Sequence, residues 1–172
     1  MSELTKAQPT FVIACPIDDI DAVDQFVVQF RNMAYRTAIR IVVHPEIAED
    51  VTQDALIRAF RSWDRLSKVE YQVAWVRKTV VRCALTALQS CKTESTILDI
   101  ESIDSEEQSV AVRAILANLE PNDRAILGLV VGEGLSYAEV AEILEIRIGT
   151  VASRLNRAKA AFRVAWEGSN ED

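Results

Sequence analysis

The chain has 172 residues, enough for one ordinary domain or two small ones, and 49% of them are hydrophobic, which supports packed cores. Five glycines and four prolines argue against a turn-rich β protein, and no long alternating run appears, so helical periodicity points to an all-α chain. The formal net charge of −7 would argue against a nucleic-acid partner if it were evenly spread, and it is not.

Residues 1–21 read as an N-terminal extension, acidic through Glu3, Asp18, Asp19 and Asp21 against Lys6 alone. Its apolar run from Phe11 to Cys15 is too short to span a membrane, and no charged leader with a cleavage site precedes it. The expectation is a cytoplasmic protein without membrane insertion.

Residues 22–92 read as a first helical unit, with helices over 24–42, 46–63 and 71–91. His44-Pro45 separates the first two, because proline disfavours helix in the residue before it. In the second, Ile47, Val51, Ala55, Ala59, Phe60 and Trp63 form one apolar face, with Asp50, Gln53, Asp54 and Arg61 opposite. The third buries Trp75, Val76, Thr79, Val80, Ala84 and Leu88 and turns Arg77, Lys78 and Arg82 outward. Residues 25–92 hold eleven Lys/Arg against six Asp/Glu, so this block is basic.

Residues 93–109 have the composition of a flexible acidic linker: Glu94, Asp99, Glu101, Asp104, Glu106 and Glu107 with no base. Residues 110–167 form a second small helical unit, followed by a tail at 168–172. A short helix runs to about Leu119, and Pro121 opens another at a favoured first-turn position. Gly134 suits a helix end that needs positive φ. Ser136 and Glu139 form a capping box, in which each side chain satisfies a backbone N–H of the other at the start of the next helix.

After that helix comes a tight turn and a basic second helix. At about 100° per residue, Val151, Leu155, Ala158 and Phe162 fall in one wedge. Ser153, Asn156, Arg157 and Ala160 fall opposite, with Arg154 and Lys159 on the flanks. No acid occurs from Ile146 to Trp166. A polar edge between basic shoulders suits a DNA groove.

Cys15, Cys83 and Cys91 make no metal-ligand spacing, and His44 is the single histidine. Free thiols in a reducing compartment are expected, with no metal and no cofactor. No nucleophile–base pair or phosphate-cradling glycine loop suggests an enzyme.

Both units resemble a known family. The chain is similar to bacterial sigma-70 family sigma factors of the small extracytoplasmic-function (ECF) type, which keep only regions 2 and 4. Leu119-Glu-Pro-Asn-Asp-Arg124, Gly134-Leu-Ser-Tyr-Ala-Glu-Val-Ala141 and Gly149-Thr-Val-Ala-Ser-Arg-Leu-Asn-Arg-Ala158 follow the region 4 pattern. Residues 48–64, from Ala48 to Asp64, resemble the region 2 helix that grips RNA polymerase.

The resemblance implies core RNA polymerase, promoter DNA and an anti-sigma factor as partners. Asp50, Gln53 and Asp54 match positions that dock on the β′ clamp, while the β flap is the second polymerase contact. Ser153, Asn156 and Arg157 would face base edges of the −35 element, with Tyr137, Thr150, Arg154 and Lys159 on phosphates. Lys68, Tyr71, Arg77, Lys78 and Arg82 would hold the −10 strand, where aromatic stacking and a basic groove capture single-stranded DNA. Trp63, Trp75 and Trp166 are read as core residues.

The chain also departs from the family. Glu145 and Arg147 stand in a turn that often holds Gly and Pro, so Glu145 must adopt a left-handed conformation or force a different turn. Ala152 replaces a frequent basic residue, Arg82 a common asparagine, and the loop at 66–72 lacks the usual glycine. The implied function is promoter-specific transcription initiation. The alternative is a sigma-like protein that binds polymerase or an anti-sigma factor without initiating.

Overall fold

The computed structural model describes residues 20–62, 72–93 and 107–169. Lys68, Tyr71, Trp63, Cys15 and most of the acidic stretch after Thr93 lie outside these residues. Every regular element among the described residues is helical, in agreement with the all-α reading.

Helix α1 (Ile20–Val42) begins four residues ahead of the expected start at 24 and places Asp21 in its first turn, where a carboxylate favours the helix dipole. Phe26, Phe30, Ala34 and Ala38 recur at i+4 and are at most 1% exposed, so one continuous stripe faces the core. The helix ends at Val43, whose φ of 71° is unusual for a β-branched residue. His44 is then extended at φ −99° and ψ 124°, and Pro45 starts α2 (Pro45–Arg61).

Helix α2 buries Ala48, Val51, Thr52, Ala55, Leu56 and Ala59. Its small residues let it pack closely on α1, and the buried Thr52 hydroxyl donates to the Ala48 carbonyl at 2.6 Å rather than going unpaired. Helix α3 (Gln72–Thr93) adds Val76, Val80, Val81 and Ala84, all fully buried. The Phe26 ring lies 4.9 Å from Phe30 and 5.8 Å from Phe60, closing one end of the three-helix unit.

The second unit comprises α4 (Glu107–Ala117), α5 (Pro121–Leu127), α6 (Tyr137–Leu144) and α7 (Ile148–Ser169). Helix α5 runs on into a single π turn, Gly128–Gly132, closed by the Glu133 N–H donating to the Gly128 carbonyl at 3.1 Å. Both glycines lie against α1. A Cβ on Gly128 would stand 3.1 Å from Arg40 Cβ, and one on Gly132 only 2.7 Å from Arg40 Cδ. Their lack of side chain is what lets the second unit approach the first.

The two units share one hydrophobic core. Ile126, Leu129, Val140, Val151 and Leu155 belong to the same buried cluster as Phe26, Ile41 and Val80. Sequence composition pointed to two units, and their faces close on each other. Because that core is continuous, Phe30→Ala and Leu155→Ala should each lower stability by about 3–5 and 2–5 kcal/mol respectively. Both changes are expected to shift a single unfolding transition, coincident by far-UV dichroism and tryptophan fluorescence.

Candidate nucleic-acid interface

The helix-turn-helix is built from local signals that the sequence states openly. At Ser136 the hydroxyl accepts from Glu139 N–H at 3.3 Å, and the Glu139 carboxylate accepts from Ser136 N–H at 2.8 Å. Hydrogen bonds from Ser136 hold the Glu139 carboxyl below the usual carboxylate range. Gly134 has φ 70°, which turns the chain from the π turn into that cap. At the other end of α6, Glu145 does take the left-handed conformation, with φ 56° and ψ 40°. The Ile146 N–H then donates back to the Ala141 carbonyl at 3.0 Å, a helix end of the kind glycine normally provides.

Helix α7 presents the surface its angles require. Val151, Leu155 and Ala158 are at most 1% exposed, while Ser153, Asn156, Arg157, Lys159 and Ala160 are exposed. Thr150 and Arg154 are half-buried at the edges and Tyr137 is exposed at the start of α6. The Ser153 hydroxyl donates to the Thr150 carbonyl at 3.1 Å. The Arg157 guanidinium is anchored: Nε and Nη2 each donate at 2.8 Å to the two oxygens of Asp123. Phe162 stacks on Trp166 at 6.3 Å, and both line a mainly apolar groove of about 680 Å³ with Leu116, Leu127 and Val131. Trp166 is therefore part of a groove wall rather than of the core, as is Lys159 at its rim.

The cations of α3 have a different neighbour from the one expected. Arg77 Nε donates to Glu133 at 2.8 Å, and the same carboxylate accepts from Thr37 Oγ1 at 2.6 Å with Arg40 3.6 Å away. Glu145 pairs with Lys78 at 2.9 Å and Arg82 at 2.7 Å. Those two cations, Lys78 first, hold the Glu145 carboxyl below its ordinary range, so the tie is intact at neutral pH and is released only as pH falls through that lowered value. Arg77, Lys78 and Arg82 do face away from their own three-helix core, and each meets a carboxylate of the second unit, Arg82 while still exposed. Trp75 packs against the core, in keeping with its reading as a structural residue.

A further tie between units comes from Arg124, which is 5% exposed. It donates to the Ile41 carbonyl at the end of α1 at 3.0 Å, and to the Ala117 and Leu119 carbonyls at 2.8 and 3.0 Å. A cation is well placed at two helix C-termini. Glu133, Asp123, Arg40 and Arg124 were absent from the sequence-based site, since their roles depend on partners 5 to 96 positions away.

On α2, Asp50, Gln53 and Asp54 are exposed along one face. Asp54 accepts from Arg58 Nε at 3.0 Å, and both aspartates border a groove of about 410 Å³ that reaches Cys83 and Arg82. Burial, with Asp54 nearby, pushes the Cys83 thiol up to about 11, so it stays protonated and unreactive. Among the described residues no cluster of His, Cys, Asp or Glu is arranged to hold a metal, and no helix is long and apolar enough to cross a membrane.

Comparison with known proteins gives each unit a counterpart. Residues 26–93 match the family model "Sigma-70 region 2" and residues 109–162 match "Sigma-70, region 4". The chain is 30% identical over 145 residues to an RNA polymerase sigma-E factor of Streptomyces antibioticus, covering 80% of each chain. It is 28% identical over 154 residues to the ECF RNA polymerase sigma factor SigE of Mycolicibacterium smegmatis, covering 81% of this chain and spanning 60% of that relative's length. The solved structure of the sigma factor RpoE in complex with the anti-sigma factor NepR from Bartonella quintana has the same fold, with TM-score 0.68 at 21% identity, covering 86% of this chain and 98% of that one.

The start of α6 makes a local test of how the helix-turn-helix is held. Ser136→Ala should cost about 1 kcal/mol in denaturant unfolding at pH 7. Because the Glu139 carboxyl is held low, its contribution is present above the unfolded carboxylate range and lost as pH falls through the folded value. The stability gap between wild type and Glu139→Gln should accordingly close on acidification.

Proposed function

Because the chain belongs to the sigma-70 family of RNA polymerase sigma factors, in the ECF class with regions 2 and 4, we propose that it binds core RNA polymerase and directs promoter-specific transcription initiation. The observation that carries this reading is the order of the two units: a region 2 match and a region 4 match in one polypeptide, the second ending in a helix with no acid before Glu167. Region 2 corresponds to α1–α3 and region 4 to α4–α7.

In this reading the exposed Asp50, Gln53 and Asp54 face of α2 docks on the β′ clamp, and region 4 meets the β flap. Helix α7 enters the major groove at the −35 element, with Ser153, Asn156 and Arg157 toward base edges and Tyr137, Thr150, Arg154 and Lys159 toward phosphates. Arg77, Lys78 and Arg82 engage the −10 strand, together with Lys68 and Tyr71. The factor acts in the cytoplasm, contributes no catalysis of its own, and is held in check by an anti-sigma factor. Binding of the −10 strand requires Glu133 and Glu145 to release those cations.

Run-off transcription from genomic fragments, with the purified chain and core polymerase, tests the proposal. Discrete new transcripts are expected. Stable polymerase binding without transcripts would favour a sigma-like interaction protein instead. An Asp50/Gln53/Asp54 to alanine triple variant should lose polymerase affinity by about tenfold or more, which is about 1.4 kcal/mol or more. Unchanged affinity would reject the assigned surface.

A further inference from the structure

Arg157 does not stand alone on α7. Its Nε and Nη2 donate to both oxygens of Asp123, each at 2.8 Å, in a side-on fork. The Asp123 side chain is 6% exposed and that of Arg157 is 64% exposed, so the acid is fixed inside while the base projects. Asp123 lies in the first turn of α5, immediately after Pro121 and Asn122. Arginine has five N–H donors; two are used here, which leaves three, all on the outer Nη1–Nη2 end. That end is the one that meets guanine O6 and N7 together. Held by Asp123, the planar guanidinium has lost most of its rotational freedom before DNA arrives.

We propose that Asp123 is a positioning residue for promoter recognition, aiming Arg157 at a guanine of the −35 element. This rests on the reading of α7 as the promoter-reading helix. A simple surface ion pair would contribute little and fix nothing, but a buried carboxylate with both oxygens engaged by one guanidinium sets its plane. Specificity at one base pair then depends on a residue that itself touches no DNA.

The test uses the full chain with core polymerase and a promoter series in which each −35 base pair is replaced in turn. Wild type should prefer G·C at one position, and Arg157→Ala should reduce that preference about tenfold or more. Asp123→Asn should reduce it at the same position while changing affinity for promoters lacking that guanine less than about twofold. Asp123→Glu should restore part of it. Uniform loss across all promoters with Asp123→Asn, or no change, would leave the pair as a tie between α5 and α7 and overturn the proposal. If Arg157→Ala itself leaves base preference intact, the recognition-helix assignment falls, and this inference with it.

Discussion

The arrangement of the molecule depends on one largely enclosed carboxylate at the seam between the units. Glu133 leaves the π turn and enters the space between α1 and α3, where Thr37, Arg77 and Arg40 surround it. A carboxylate in that setting is tolerable only because each of its oxygens has a donor, and those donors belong to the other unit. Gly128 and Gly132 make the approach possible by leaving room for Arg40. Arg124 completes the seam by closing the carbonyl end of α1. Apolar contacts around Leu129 and Ile41 supply most of the stabilisation, while these polar ties fix the register in which the units meet.

Charge is unevenly distributed along the chain. The overall excess of acid conceals a basic first unit and an acid-free stretch from Ile146 to Trp166. Where the units meet, Glu133 and Glu145 sit so as to neutralise Arg77, Lys78 and Arg82. Exposed ion pairs are weak and screened, as at Glu145 with Lys78 and Arg82, so they yield readily to a polyanion. The pair at Asp123 is of another kind, because its acid is buried and its base is not, and it joins two helices of the same unit.

Local signals proved legible where the physics is local. The capping box at Ser136, the break at His44-Pro45 and the positive φ at Gly134 each depend on residues a few positions apart, and each is present. The stripe of Val151, Leu155 and Ala158 followed from helical angle alone. The start of α1 was placed late, because its first turn contains acids that read equally well as a polar tail. The destination of Arg77, Lys78 and Arg82 was not legible, since outward on a helix does not say whether solvent or another unit lies beyond. Glu145 in the turn looked like a mismatch to the family pattern; its side chain has a partner on α3 that no spacing within the C-terminal unit announces.

By itself, then, the sequence determined the helices, the faces they bury, the family and the exposed polar face of α7, because periodicity, capping and motif spacing are properties of contiguous residues. Tertiary structure alone decided which charges meet. Glu133 finds Thr37 across 96 positions and Asp123 finds Arg157 across 34, and such pairings arise only when a shared core brings distant helices together. The electrostatics of the site depend on that geometry and not on composition, which is why the cations could be named from the chain while their occupants could not.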